Sequence, residues 1–305
     1  EIRLSLVGSE MCIRDRIRPI LRSEEKIDCL NDTDYYAGVS MNGDSTVTNL
    51  YASDAFMEKC KLMREWNQKG YLQADAATTT STASELFSAG RCFSTIDAYG
   101  GDSAGAVLSL SSGHNLKSKI LYNFYFDSAS VYVDFGIAST SKVPEAAMKM
   151  INRLWTDEYL INTFLYGEEG VDYVKPDADH WAYPDGKDAT TVGYTAALCT
   201  GVIGSESLQY QPVGTDIADI QLKLKHNKES ERSPFFGFMF DASGVTTEMS
   251  AIANVYNQYV PGLICGTVDP ETTMPEFLNA LDAAGINTVI QAKQEQLDAW
   301  IAAQK

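Results

Sequence analysis

Residues 135–174 limit the possible folds more than any other part of the chain. An apolar run there is followed by two amphipathic helix patterns and then by a loop rich in aromatic and acidic residues. Pro144 favours the first turn of a helix, because the N–H that proline lacks would have no partner there. The apolar stripe that helical spacing predicts for this first helix consists of Ala147, Met150, Ile151 and Leu154.

The second helix pattern leads into the aromatic and acidic loop. We predict Thr156 as the N-cap residue of this helix and Gly167 as its end. The loop at residues 166–173 holds two tyrosines and three carboxylates among its glycines. No catalytic or metal-binding motif has this arrangement. The stretch therefore predicts a strand, two capped helices and a loop, without assigning them a reaction.

Charge and composition exclude several classes of protein. The 305 residues include 24 Lys and Arg against 41 Asp and Glu, which gives a net charge of −17. A nucleic-acid partner is not predicted, because binding a phosphate backbone requires a basic surface. The hydrophobic content of 45% is typical of globular chains. No apolar run reaches the length of about 18 residues that a transmembrane helix needs.

The N-terminus carries a sequence that we expect to be foreign to the protein. Residues 6–16, LVGSEMCIRDR, match the translation of a sequencing-library adapter, so we interpret residues 1–16 as an artefact. The alternative is a natural N-terminus with that sequence. No signal peptide is visible. If the segment is an adapter, we expect the chain to be a fragment that lacks its natural start and its export signal.

Cysteine and histidine patterns argue against metal sites and cofactors. Outside residues 1–16 the chain has five cysteines and no C-x-x-C pair, which disfavours both a zinc site and a disulfide framework. The three histidines lack metal-ligand spacing, and no calcium-loop pattern is present. We therefore predict no metal and no cofactor, and we interpret Cys60 and Cys92 as small core residues.

The flanking regions also carry helix and strand signals. Ser53 begins a helix pattern that ends at Gly70, and its apolar stripe is Phe56, Cys60, Met63 and Trp66. Strands are predicted at residues 91–96, 120–126 and 131–137.

The C-terminal region reads as mostly helical. A strand-like apolar run at residues 233–241 precedes a helix that we expect to end before Pro261. Asp269 is a predicted N-cap, because a proline and an acidic residue follow it in the first turn. We predict that Asn287 caps the last helix, and that the helix starting at Asp269 buries Met274, Phe277, Leu278 and Leu281.

An ordered set of motifs resembles a known family. The segments SKVPEAAM, TDEYL and YGEEGVDY, in that order, resemble the C-terminal half of extracellular solute-binding proteins of ABC importers, of the family 1 sugar-binding type. The block SPFFGFMFD, followed by GTVDPE, AAGI and QLDAW, resembles the C-terminal module of a Gram-positive lipoprotein branch, once of unknown function. The resemblance covers residues 50–305.

The resemblance implies an α/β, periplasmic-binding-protein-like (type II) two-lobe fold, incomplete in this chain, with a helical C-terminal module. Residues 17–128 would form mainly the second lobe. Residues 129–230 would return to complete the first lobe, and residues 231–305 would form the C-terminal module.

The resemblance also implies ligand-contacting residues. In sugar-binding members, the strand that ends near residue 96 is followed by an aromatic ring that stacks on the sugar, and Tyr99 occupies that position here. The alternative is an ordinary turn tyrosine. Asp97 and Asp102 would be polar contacts beside it. The remaining predicted contacts are Tyr166, Glu169 and Tyr173 from the other lobe, with Tyr132 and Phe236.

The function implied is that of an extracellular solute-binding component of an ABC importer. It would be a monomer, held to the membrane by a lipid anchor, that binds a carbohydrate, preferably an oligosaccharide, and presents it to permease subunits. One alternative is a carbohydrate-binding surface or sensory protein. A second is a two-carboxylate glycoside hydrolase, for which Glu168 and Glu169 would be the acids. The resemblance favours binding over catalysis.

Overall fold

The computed structural model describes most of the chain in separate stretches. The described residues are 10–12, 24–30, 36–79, 81, 83–95, 109, 112–122, 125–128, 135–196 and 203–304. The strands are β1 (Glu10–Cys12), β2 (Ile27–Asp28), β3 (Ala37–Ser40), β4 (Thr48–Asn49), β5 (Cys92–Thr95), β6 (Tyr125–Phe126), β7 (His180–Trp181), β8 (Gln211–Pro212) and β9 (Glu231–Arg232). The α-helices are α1 (Asp54–Gln68), α2 (Ala83–Ser88), α3 (Pro144–Thr156), α4 (Glu158–Tyr166), α5 (Ile217–Glu229), α6 (Thr246–Ile264), α7 (Pro270–Ala283) and α8 (Ile286–Ala303).

The strands pair in small groups. The order β2-β3-β4 is an antiparallel three-stranded sheet, whereas β1 pairs with β5, β6 with β9 and β7 with β8 in parallel. Helices therefore make up most of the regular structure among the described residues.

The main hydrophobic core joins α1 to the C-terminal helices. The Ser53 hydroxyl accepts a hydrogen bond from Phe56 N and begins α1, as the sequence predicts. Phe56, Cys60 and Met63 are buried, and the ring of Tyr51 packs edge-on against Phe56 at 5.0 Å. Side chains from α6, α7 and α8 complete this core, so residues far apart in the sequence enclose one interior.

Of three predictions for the ends of the C-terminal helices, two are wrong and one is confirmed. Helix α6 continues through Pro261 to Ile264, because its last turn buries Leu263 and Ile264 and this burial offsets the missing hydrogen bond. Helix α8 begins at Ile286 after Gly285, which has φ +93°, so the N-cap is not Asn287. The predicted N-cap Asp269 is confirmed, since its carboxylate accepts a hydrogen bond from Glu271 N at 3.0 Å.

Residues 233–241 do not form the predicted strand. They follow consecutive turns, in which Phe236 N donates to Ser233 O and Phe238 N donates to Phe235 O. The turns insert Phe235 and Phe238 into a core that includes Leu297 of α8. In a strand, side chains alternate between the two faces, so Phe235 and Phe238, three residues apart, would point in opposite directions. The burial of both rings in one core therefore favours the turns.

A buried lysine fixes α8 to β3. Lys293 is fully buried, and its Nζ donates to Ala37 O at 2.9 Å and reaches Cys29 O at 3.5 Å. One residue later, Gln294 Oε1 accepts a hydrogen bond from Val47 N at 2.8 Å. The last helix thus satisfies backbone groups of the first antiparallel sheet, which a purely apolar face could not do.

Three distant segments of the chain meet at a buried carboxylate. Asp28 is fully buried, and its carboxylate accepts hydrogen bonds from Ser128 N at 3.0 Å and from Ser128 Oγ at 2.5 Å. The Tyr125 hydroxyl donates to Ile27 O at 3.1 Å. Since β6 also pairs with β9, this junction of β2, β6 and β9 ties residues near positions 28, 126 and 232 together.

Helices α3 and α4 cover a smaller, separate core. The sequence predicts four buried residues on α3, but Leu154 is the one that is fully buried, and Met150 is exposed. Of the strand predicted at residues 131–137, residues 131–134 lie outside the described residues and residues 135–137 are not strand. The N-cap of α4 is Asp157 rather than Thr156, because the Asp157 carboxylate accepts a hydrogen bond from Leu160 N at 3.0 Å. Of the strand predicted at residues 120–126, the structure describes only β6 as extended.

Candidate ligand-binding site

Four of the eight predicted ligand contacts lie outside the described residues. These are Asp97, Tyr99, Asp102 and Tyr132. The strand that leads toward the first three is present as β5. Their ligand contacts therefore stay predictions.

The loop after α4 has a fixed shape. The Asp172 carboxylate accepts hydrogen bonds from Glu168 N at 3.1 Å and from Tyr194 N at 3.0 Å. Gly167 has φ +89°, and a Cβ there would lie 2.4 Å from Asp172 Oδ2. Only glycine fits this conformation and this close approach. The loop is therefore held by one buried carboxylate that spans its start and a distant segment.

Stacked aromatic rings lie directly under this loop. The Tyr166 ring stacks on Trp181 with centroids 4.5 Å apart and lies 5.9 Å from the ring of Tyr173. Tyr166 is only 1% exposed, and its hydroxyl donates to Tyr210 O at 2.9 Å. Burial raises the pKa of Tyr166 above its ordinary value. Tyr166 is therefore a buried residue on which the loop packs.

Tyr173 and Glu169 lie close together on this loop. Tyr173 is largely buried, and burial raises its pKa to about 12, with the Glu169 carboxylate adding to the effect. The Glu169 side chain is exposed. Of the predicted contacts, the structure thus brings Tyr166, Glu169 and Tyr173 together around one loop.

Phe236 lies in a different setting. Its ring packs edge-on against Phe126 at 6.3 Å, and the Arg232 guanidinium lies 5.6 Å from the ring centroid. The residue therefore borders the junction of β6 and β9. It is partly exposed, so its predicted contact with a ligand stays open to test.

A group of polar and aromatic side chains lies at the start of α4 and beside the loop. We call it the α4 patch, and its members are Glu158, Tyr159, Glu169, Lys175 and Tyr210. The Tyr210 hydroxyl donates to Glu158 Oε1 at 3.1 Å, and Lys175 Nζ lies 3.8 Å from the centroid of the Tyr210 ring. The Tyr210 hydroxyl raises the pKa of Lys175, as do, to a smaller extent, the carboxylates of Glu169 and Glu158. The ammonium group therefore stays charged.

Four members of the α4 patch are not among the ligand contacts that the sequence predicts: Glu158, Tyr159, Lys175 and Tyr210. Lys175 lies two residues beyond Tyr173, a spacing that places side chains on one side of an extended segment. That signal could have been used. Tyr210 comes from a distant, irregular stretch, and it reaches α4 because buried Asn162 accepts a hydrogen bond from Tyr210 N at 2.8 Å. No sequence pattern indicates that contact.

Within the part of the chain that the structure describes, no cluster of three or more His, Cys, Asp or Glu side chains could hold a metal ion. His180 pairs with Asp177, with 2.8 Å between Nδ1 and Oδ1, and its Nε2 contacts Thr215 O at 2.8 Å.

None of the described helices combines the length and the apolar character that crossing a bilayer requires.

Sequence comparison finds relatives among transport proteins. A family described as "Domain of unknown function (DUF3502)" matches residues 234–302. A carbohydrate ABC transporter substrate-binding protein of Streptococcus pneumoniae serotype 4 is 28% identical over 272 residues, which is 86% of this chain and 53% of the relative. The chain thus spans about half the length of this curated relative.

Structure comparison finds the same class of protein. The crystal structure of the N-glycan transport solute-binding protein NgtS from Streptococcus pneumoniae, in complex with Man1GlcNAc, matches with a TM-score of 0.71 and 25% identity, over 90% of this chain and 61% of that one. A second NgtS structure matches with a TM-score of 0.75 and 23% identity, over 99% and 70% of the two chains. The alginate-binding protein AlgQ2 matches with a TM-score of 0.52 and 16% identity, over 96% and 64% of the two chains.

These matches settle the fold. Three solved structures share the periplasmic-binding-protein-like (type II) α/β architecture that the sequence motifs imply. The DUF3502 match falls on the C-terminal block, whose motifs carried part of the resemblance. The chain therefore has the type II solute-binding fold and a C-terminal DUF3502 domain, which confirms its resemblance to the extracellular solute-binding proteins of ABC importers.

Proposed function

We propose that the chain is the extracellular solute-binding component of an ABC importer and that it binds an oligosaccharide. The observation that carries this proposal is the match to NgtS in complex with Man1GlcNAc, which extends over 90% of the chain at 25% identity. A further NgtS structure, in complex with Man5GlcNAc, matches over 92% of the chain. Both complexes contain mannose and N-acetylglucosamine, so neutral oligosaccharides of this type are the first ligands to test.

The chemistry of the described loop suits such a ligand. Aromatic rings cover the apolar face of a sugar, and carboxylates accept hydrogen bonds from its hydroxyl groups. Glu169 supplies an exposed carboxylate on this loop, and Tyr166 and Tyr173, which are buried in this conformation, are the aromatic contacts proposed beside it. On the opposite lobe, Tyr99 is the proposed stacking ring, with Asp97 and Asp102 as polar contacts; Tyr132 and Phe236 complete the proposed contacts.

The proposed mechanism is closure of two lobes around the ligand. Binding stabilises the closed form, because contacts with both lobes exist only in that form. The closed complex is then recognised by permease subunits, and no covalent bond is made or broken. We place the protein at the extracellular face of the cell membrane, held by a lipid anchor and acting as a monomer. The relatives that support this role are transport proteins rather than enzymes.

Calorimetric titration of the purified protein tests the proposal. Man1GlcNAc and Man5GlcNAc are titrated, with tri- and tetrapeptides as controls. We expect one glycan to bind per chain and the peptides to give no heat beyond dilution. Binding of the peptides alone, or of none of these ligands, would contradict the proposal. Mass spectrometry of the recovered glycan separates binding from hydrolysis, since a binding protein releases its ligand unchanged.

A further inference from the structure

We infer that the α4 patch contacts one neutral sugar unit of the oligosaccharide, with the ring of Tyr159 stacked on it. This inference rests on the proposed function and assigns residues that the sequence did not indicate. The starting observation is that Tyr159 is 79% exposed at the first turn of α4. A ring so exposed adds little to the stability of the fold, so packing does not explain an aromatic residue there.

One polar member of the α4 patch, Tyr210, is held in place by buried structure. Asn162 is almost fully buried, and its Nδ2 donates to Leu208 O at 2.8 Å while its Oδ1 accepts from Tyr210 N. The Tyr166 hydroxyl in turn donates to Tyr210 O. The backbone N–H and C=O of Tyr210 are therefore both bonded to side chains of α4, which sets the position of its phenol. A site whose groups are already ordered loses less entropy on binding.

The surroundings of the patch are also aromatic. The Tyr173 and Tyr210 ring centroids are 6.5 Å apart, and Tyr173 in turn packs against Tyr166. Burial is the main cause of the raised pKa of Tyr173, and Glu169, Tyr210 and Tyr159 add to it, so each of these three groups lies near Tyr173. Rings and charges thus converge on one surface although they come from α4, the loop and residue 210.

The mixture of charges selects the class of ligand. Glu158 and Glu169 bring two carboxylates to the α4 patch, whereas Lys175 brings one ammonium group, so a free anion such as phosphate would be repelled. A metal cation would meet the Lys175 charge and only two carboxylates, fewer oxygen ligands than calcium takes. Two acceptors, one ammonium donor and a phenol match the hydroxyl groups of a neutral sugar. The exposed ring of Tyr159 matches its apolar face.

The test compares exposed tyrosines inside and outside the α4 patch. Tyr159→Ala and Lys175→Met are titrated with the glycan that the wild-type chain binds, and Tyr71→Ala serves as the control because Tyr71 is 52% exposed on a segment after α1. We expect Tyr159→Ala to raise Kd about tenfold and Tyr159→Phe to change it less than about threefold, because the stacking surface is retained. Lys175→Met should also raise Kd, and Tyr71→Ala should leave it unchanged.

The outcomes separate this inference from the proposed function. If the wild type binds a glycan and Tyr159→Ala binds it equally well, the α4 patch is not part of the site, although the proposed function stands. If the wild type binds none of the glycans, both are overturned. Thermal melts of each variant verify folding, which a change at an exposed position should not disturb. Supplying the same glycan with a uronic acid in place of one sugar should weaken binding, since the two carboxylates repel it.

Discussion

Helices α7 and α3 both carry apolar residues at helical spacing, but α7 buries much more of its apolar stripe than α3 does. In α7, Phe277 is fully enclosed between the rings of Tyr51 and Tyr259, at 5.4 and 5.6 Å. In α3, Met148 is 56% exposed, and Trp155 packs edge-on against Phe135 near the surface. Periodicity thus predicts a helix and an apolar stripe, but the elements that cover the stripe come from elsewhere in the chain.

The core around α7 and the core under α3 and α4 also differ in which segments of the chain enclose them. The core around α7 is enclosed by segments from both ends of the described chain, and Lys293 and Gln294 of α8 bind backbone groups of the β2–β4 sheet. The core under α3 and α4 is a small, mainly aromatic cluster whose members all lie between residues 154 and 210. We therefore expect the global stability of the protein to depend on the core around α7. The local order of the candidate site should depend on the core under α3 and α4.

The largest expected effect comes from truncating the ring at the centre of the core around α7. Phe277→Ala should lower the free energy of unfolding by about 3–5 kcal/mol, because it leaves a cavity among fully buried side chains. Met148→Ala, the matched change on α3, should alter it by less than about 0.5 kcal/mol. Urea denaturation followed by circular dichroism measures both. Equal losses in the two variants would show that α3 is covered in solution.

A smaller effect is expected from the carboxylate that holds the loop. Asp172→Ala should cost about 1–3 kcal/mol, because it leaves the N–H groups of Glu168 and Tyr194 without their acceptor. Hydrogen exchange should become faster at residues 168–173 and remain unchanged in α7. Asp185→Ala, at an exposed position in a neighbouring turn, is the control. Uniform acceleration along the chain would instead mean that the loop belongs to the main cooperative unit.

The smallest effect concerns pH. The Thr215 carbonyl and the Asp177 carboxylate raise the pKa of His180 above its ordinary value. The protonated ring is therefore favoured in the folded state, so its stabilising contribution is present below the unfolded pKa of about 6.5 and is lost as pH rises through the folded pKa. The wild type should have a higher Tm than His180→Gln, and this difference in Tm should be about 1–2 °C larger at about pH 5.5 than at about pH 8.5. A difference independent of pH would contradict the assignment.

Local rules predicted much of the fold. Ser53 and Asp269 cap their helices as expected, because an N-cap depends on a few neighbouring residues. The predicted N-caps Thr156 and Asn287 are wrong by one and two positions, because the carboxylate of Asp157 caps α4 itself and Gly285, with φ +93°, precedes the first residue of α8. The turns at residues 233–241 could not be predicted, because the burial of their phenylalanines depends on α8.

The candidate site was predicted only where its residues are close in sequence. Glu169 and Tyr173 lie near one another because they share a short loop between glycines, and their contacts with a ligand stay predictions. Tyr210 was missed, since its position depends on Asn162, a buried amide on the inner side of α4. A helical asparagine with both amide groups bonded to a later segment leaves no signature in the sequence.

The contacts of Lys293 also bear on the order in which the chain folds during synthesis. Its ammonium group bonds carbonyls that lie 256 and 264 residues earlier, so β2 and β3 leave the ribosome long before their partner exists. Contacts of such sequence separation form late and slow folding. The apolar surface of the first sheet therefore stays uncovered until α8 is available, and the chain is most open to aggregation in that interval.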